Sequence, residues 1–172
     1  ITGQKHATQA LMEKAEHDAL TGLLNKSATN SFIEETLKND SLCALYMIDI
    51  DYFKNVNDSL GHLFGDKVLA GIGNRLKKLF RTSDVVGRIG GDEFMVFLRN
   101  ISDSSLIAEK AEAIIQCLHQ TFGSGDNRCT ISGSVGIALY PQDSKTYADL
   151  YNKADIALYQ AKHAGRNRYI IF

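Results

Sequence analysis

Residues 42–51 constrain this chain most. They run Leu-Cys-Ala-Leu-Tyr-Met-Ile before the first charge, and the run is too short and too apolar for a surface helix. A strand buried on both faces belongs in the middle of a sheet with cover on each side. Helical periodicity elsewhere supplies that cover. Val68, Leu69, Ile72, Leu76 and Leu79 predict a helix over 66–80, and Ile107, Ala111, Ile114, Ile115 and Leu118 a second. Leu150, Ala154, Ala157, Leu158 and Ala161 predict the last, with Gly165 where a C-terminal cap belongs. Ser27 is suited to cap a further helix running to about Lys38, with Phe32, Ile33 and Leu37 on its buried stripe.

Residues 85–89 and 94–98 are β-rich and are joined by Gly90, Gly91, Asp92 and Glu93, the composition of a tight hairpin turn. Residues 130–140 and 169–172 read as further strands, with Pro141 at a strand end. The expected class is therefore α/β or α+β: a helix-covered central mixed sheet containing an antiparallel hairpin. The aromatics Phe32, Phe80, Phe97, Phe122 and Tyr140 are scattered and read as core. His62 is expected to support the turn before Asp66, and His119 to lie at a helix end.

At 172 residues the chain suits one domain. Residues 1–16 carry helix formers without a secretory pattern and are expected to be the end of a signalling helix from a longer protein, leaving 17–172 as the domain. The formal net charge of -1 provides no global field for nucleic acid or an anionic membrane, and no run is long enough to span a bilayer. Cys43, Cys117 and Cys129 lack the paired spacing of a zinc site and read as reduced thiols in a cytoplasmic protein.

Chemistry concentrates in three places. Asp49-Ile50-Asp51 ends the apolar strand, where alternation sets two carboxylates on one face about 6–7 Å apart; a hard divalent cation needs such oxygens. By itself the motif is equally a solvated strand end. In Gly90-Gly91-Asp92-Glu93-Phe94 the glycines permit close approach to the backbone while two like charges repel, which a cation relieves. An ordinary hairpin turn has the same composition. Lys162 and Arg166 are spaced to share a helix face and to clamp a triphosphate, although cations at a helix C-terminus also simply complement the dipole. Acidic metal ligands plus a basic clamp is the equipment of phosphoryl or nucleotidyl transfer.

Taken together these words resemble the GGDEF-domain diguanylate cyclases over 17–172. Asp18-Ala19-Leu20-Thr21-Gly22-Leu23-Leu24-Asn25-Lys26 is similar to the family's opening signature, with lysine in place of its final arginine. Asp49-Ile50-Asp51-Tyr52-Phe53-Lys54, Asn57-Asp58, Gly61-His62, Gly65-Asp66, Gly90 to Phe94, and Ala154 to Lys162 with Gly165-Arg166-Asn167-Arg168 follow in the family's order.

The resemblance implies a fold like nucleotidyl cyclase and polymerase palm cores, and the condensation of two GTP into cyclic di-GMP by a homodimer using Mg2+, with Mn2+ as an alternative ion. It implies metal held by Asp49, the Ile50 carbonyl, Asp92 and Glu93, with Asp92, Glu93 and Lys54 serving the chemistry. Asn57 and Asp66 would read guanine, Phe53, Lys54, Lys162 and Arg166 would line the phosphates, and Asp51 would be a ligand or fix a neighbouring cation. Arg81 and Asp84 match an R-x-x-D inhibitory site for the product, with Arg88 as an added contact. No second arginine is evident on the following helix, where Glu112 lies. An upstream sensor is the implied partner. A noncatalytic GGDEF module that binds GTP or cyclic di-GMP, and another nucleotidyl-transfer enzyme, are the competing expectations.

Overall fold

The apolar run becomes β1 (Cys43–Ile50), every residue of it buried, in a computed structural model that describes residues 1–38 and 41–172. Antiparallel pairing to β3 (Glu93–Leu98) on one side and β6 (Gly133–Tyr140) on the other makes it the centre of the sheet. With β2 (Val85–Arg88) and β7 (Tyr169–Ile171) at the edges the order is β2-β3-β1-β6-β7. Since β7 runs parallel to β6 and the other pairs are antiparallel, the sheet is mixed, as expected.

Alternation along β1 divides the core into two layers. Ala44, Tyr46, Ile48 and Ile50 face α4 (His62–Leu79) and α5 (Ser105–Leu118), packing with Val68, Leu69, Ile72, Ile107 and Ile114. Cys43, Leu45 and Met47 face α2 (Lys26–Thr36) and α6 (Tyr147–His163), packing with Ile33, Leu150, Ala154 and Leu158. Gly136 brings α6 down onto β6, since a Cβ there would stand 2.1 Å from the Ala154 carbonyl oxygen. Asp49 continues the α6 layer at the tip of β1, which places its carboxylate beside the last turns of that helix.

Several local expectations are corrected. Asn25, not Ser27, caps α2, accepting from the Ala28 amide at 2.9 Å. The helix buries Ala28, Thr29, Ile33 and Thr36 and leaves Phe32 40% exposed. Its threonines tolerate burial because their hydroxyls donate to the Asn25 and Phe32 carbonyls. Residues 130–140 are not one strand. The chain breaks at Ser132, so that β5 (Asn127–Ile131) pairs with β4 (Gln120–Ser124) as a separate hairpin. A short helix, α3 (Phe53–Leu60), follows β1 without having been visible as a periodic pattern. The helix α1 (Thr2–Glu16) buries no residue.

Candidate active site

Sheet register assembles the site. Asp49 lies opposite Glu93 across β1 and β3, and the Ile50 amide donates to the Asp92 carbonyl at 3.2 Å, stitching the strand tip to the glycine turn. Lys162, from the last turn of α6, pairs its ammonium with Asp49 Oδ2. Asp49 Oδ1 is buried and has no hydrogen-bond partner among the described residues. Burial, opposed by the Lys162 hydrogen bond and reinforced by the Asp92 carboxylate, pushes the Asp49 carboxyl up to about 6. The site thus holds two carboxylates close enough to repel and an acceptor atom that nothing satisfies.

That arrangement fits a hard cation that takes oxygen ligands from several sources. Among the described residues no three Asp, Glu, His or Cys side chains converge as a complete metal centre. A cation bound by Asp49 and Asp92 would complete its shell with main-chain, solvent and phosphate oxygens, as Mg2+ characteristically does. Glu93 lies over its own turn, near enough that a Cβ at Gly90 would stand 2.7 Å from its Oε2. Its charge reaches Tyr151, whose hydroxyl is pushed up first by burial and then by Glu93.

Asp51 is engaged by donors of the protein itself. The chain has left β1 by this point, and the Asp51 carboxylate accepts from Ser132 Oγ at 2.6 Å, Ser134 Oγ at 2.7 Å and the Asn167 amide at 3.0 Å. These donors are neutral, and through them Asp51 fixes two hydroxyls and the main chain of the loop after α6.

Lys162 and Arg166 do not share a helix face. A Schellman turn closes α6: the Arg166 amide donates to the Ala161 carbonyl at 3.1 Å, the Gly165 amide to that of Lys162 at 3.4 Å, and Gly165 adopts φ +117°. Arg166 lies beyond the helix with its guanidinium 4.5 Å above the Tyr52 ring.

On the other side of the strand tip, α3 and α4 form a helical corner. Asn57 Oδ1 is buried and without a hydrogen-bond partner among the described residues, in space that only a glycine leaves, because a Cβ at Gly65 would stand 1.9 Å from it. Asp66 follows immediately and is exposed, so the structure brings the Asn57 and Asp66 positions to one corner. Phe53 is a core residue, 9% exposed, and its side chain packs beneath Gly65 instead of lining a phosphate site. Only its main chain is available at the first turn of α3, where Lys54 is exposed.

Arg81 and Asp84 lie at the opposite end of β2. Asp84 Oδ1 and Oδ2 take the Arg81 guanidinium at 3.1 and 3.2 Å, and they also accept from the Arg81 and Arg99 amides. They border a cavity of about 520 Å³ walled by Leu23, Leu24, Phe32 and Phe80. Arg88 is not brought to them. It pairs with Asp18 at 3.1 Å and donates to the Gly91 carbonyl at 2.8 Å, tying the segment after α1 to the glycine turn. Glu112 is exposed on α5. Tyr52 and Asn167 stand inside the quoted motifs but were assigned no role, and Ser132 and Ser134 lie outside every motif, so no sequence signal marked the two serines.

The family model "Diguanylate cyclase, GGDEF domain" matches residues 15–168. The chain is 38% identical to diguanylate cyclase TpbB of Pseudomonas aeruginosa over 91% of its own length and 37% of TpbB. It is 36% identical to the bifunctional diguanylate cyclase/cyclic di-GMP phosphodiesterase MucR of the same species, over 99% of this chain and 25% of MucR. It therefore spans well under half of these relatives. The solved GGDEF domain of TpbB superposes with a TM-score of 0.85 at 36% identity, covering 90% of this chain and 93% of that one. The GGDEF domain of Caulobacter crescentus DgcB, solved in complex with c-di-GMP, gives 0.80 at 28% identity, covering 91% and 93%.

Proposed function

This chain belongs to the GGDEF-domain family of diguanylate cyclases, and on that premise we propose that residues 17–172 join two GTP molecules into cyclic di-GMP, releasing two pyrophosphates, with residues 1–16 as the end of a signalling helix. The observation that carries this is the buried Asp49 carboxylate, one oxygen of which has no partner among the described residues, influenced by the Asp92 carboxylate and paired through its other oxygen with Lys162. Such a cluster is costly in a resting fold and makes sense where charged ligands arrive.

Asp49, the Ile50 carbonyl and Asp92 would hold Mg2+, or Mn2+ in its place, with Glu93 assisting. The ion's contribution is to neutralise phosphate charge and favour ionisation of the attacking 3′-hydroxyl. Glu93 receives the proton of that hydroxyl as it attacks the α-phosphorus of the second nucleotide. Asn57 and Asp66 read the base: the unpartnered Asn57 Oδ1 and the Asp66 carboxylate are acceptors matched to guanine N1–H and N2–H, and adenine lacks that donor pattern. Lys54, Lys162 and Arg166 offset charge on the triphosphate, and Phe53 offers its amide at the start of α3.

Each copy carries one nucleotide, so the reacting groups meet only when two copies face each other and an upstream sensor can control their approach. Added product would bind beside Arg81 and Asp84, whose own ion pair must open to receive it. No helix among the described residues is long and apolar enough to cross a membrane.

Incubation of the protein with GTP and Mg2+, with the product identified by mass and pyrophosphate quantified, tests the proposal. Cyclic di-GMP supports it, and a cyclic mononucleotide overturns it. The Lys162–Asp49 ion pair, which already neutralises one carboxylate, favours a second reading as a module that binds GTP or cyclic di-GMP without turnover. Retention of GTP with no pyrophosphate release would select it.

A further inference from the structure

Tyr52 occupies a conformation that its residue type disfavours. At φ 54° and ψ 31° it is left-handed, a region where a Cβ crowds the following carbonyl and where Gly, Asn or Asp are the usual occupants. Burial does not explain this, because Tyr52 is 62% exposed. Among the described residues its side chain bonds and stacks with Arg166 alone. The guanidinium stacks 4.5 Å over the ring, and one of its terminal nitrogens donates to the Tyr52 hydroxyl at 3.3 Å.

Arg166 and Asn167 are themselves left-handed, at φ 61° and 47°, so three of the four non-glycine residues with positive φ among the described residues meet here. The backbone of that loop is seated independently of Tyr52. The Schellman turn fixes its start, Asp51 takes the Asn167 amide, and the Arg168 side chain closes onto the Arg166 carbonyl at 3.0 Å. Main-chain placement is therefore settled without the tyrosine, and what the tyrosine adds is confined to the Arg166 side chain.

A free arginine at a loop tip loses rotamer entropy whenever it clasps an anion. One whose face is already stacked and whose position is already hydrogen-bonded loses less, and its remaining N–H edge stays open for a bidentate phosphate contact. Tyr52 is the N-cap of α3, so the guanidinium is stationed at the first turn of that helix. We propose that Tyr52 is a positioning residue: it spends backbone strain to hold Arg166 over the strand tip, ready for the terminal phosphates of a nucleoside triphosphate. The inference rests on the nucleotide reading given above and extends it to a residue outside the metal, base and proton-transfer roles.

Three substitutions, one pair of them also combined, test it through melting, binding and steady-state kinetics. Tyr52→Gly relieves the strain and removes the ring, so melting temperature should rise or hold while the Kd for a fluorescent GTP analogue, and the KM for GTP, increase by about three- to tenfold with kcat within about twofold. Tyr52→Phe keeps the stacked face and should stay within about twofold of the parent in both. In an Arg166→Ala background, Tyr52→Gly should have no further effect on analogue binding, the sign that it acts through the arginine.

A stability loss that tracks the binding loss, or an equal penalty with and without Arg166, overturns the inference. Unchanged analogue binding in Tyr52→Gly, in a protein that still makes cyclic di-GMP, overturns it while leaving the proposed function intact. Arg166-dependent weakening in a protein that binds GTP but makes no product upholds the inference and sinks the cyclase reading. A parent protein that neither binds the analogue nor turns over GTP overturns both.

Discussion

Two buried aspartates at strand ends, Asp84 and Asp49, have opposite fates. Asp84 is saturated: its side chain is 1% exposed and its oxygens receive two backbone amides and an arginine fork. Asp49 is also buried, yet one oxygen has no partner among the described residues, the other pairs with a lysine, and a second carboxylate acts on it. Burial of a charge does not in itself mark a reactive place. What distinguishes the β1 tip is charge left over after the fold has made every bond it can, because unsatisfied groups are retained against their cost where a ligand completes them.

The largest expected effects lie on the unsaturated side. Asp92→Asn and Glu93→Gln should each lower cyclase turnover by about 10²-fold or more, with urea unfolding still cooperative, as initial rates and denaturation curves will show. Full activity in both variants erases the contrast. On the saturated side, Asp84→Asn loses acceptor capacity for buried amides and should cost about 2 kcal/mol in the same unfolding experiment, with turnover little changed.

Next in size is a pH effect. Because the folded Asp49 carboxyl titrates near 6, above its ordinary 3.8, the unfolded chain ionises first. The contribution of Asp49 to stability is present below about 4 and is lost as pH rises through about 6. Without metal, Asp49→Asn should flatten that part of the stability profile and raise stability at neutral pH while abolishing turnover. A profile unchanged by the substitution would show that Asp49 is not strained in this way. The smallest structural effect belongs to Arg81→Ala. With its guanidinium largely exposed, the stability loss should be under about 1 kcal/mol, while inhibition by added cyclic di-GMP should disappear in a product-titration assay.

Much of this was legible beforehand. The continuous apolar run could only be a central strand, and the helical stripes of α4, α5 and α6 named their own buried faces. The glycine turn with two acids located the hairpin, and sheet register then brought Asp49 to Asp92. The missed elements were those whose deciding partners are remote. The face that α2 buries depends on Gly87 of β2, where a Cβ would stand 1.9 Å from Thr29 Oγ1. The break at Ser132 depends on Asp51, and the role of Arg88 depends on Asp18, 70 positions away.

By itself the sequence determined the layers and the acids at the strand tip, because hydrophobic periodicity and turn chemistry act between residues only a few positions apart. The tertiary structure alone decided which acids are spent and which remain available. Asp51 meets the Asn167 amide across 116 positions, and Arg166 meets Tyr52 across 114. Such pairings are set by how distant segments converge at one end of the open sheet, and no local pattern encodes where a hydrogen bond of that span will find its donor.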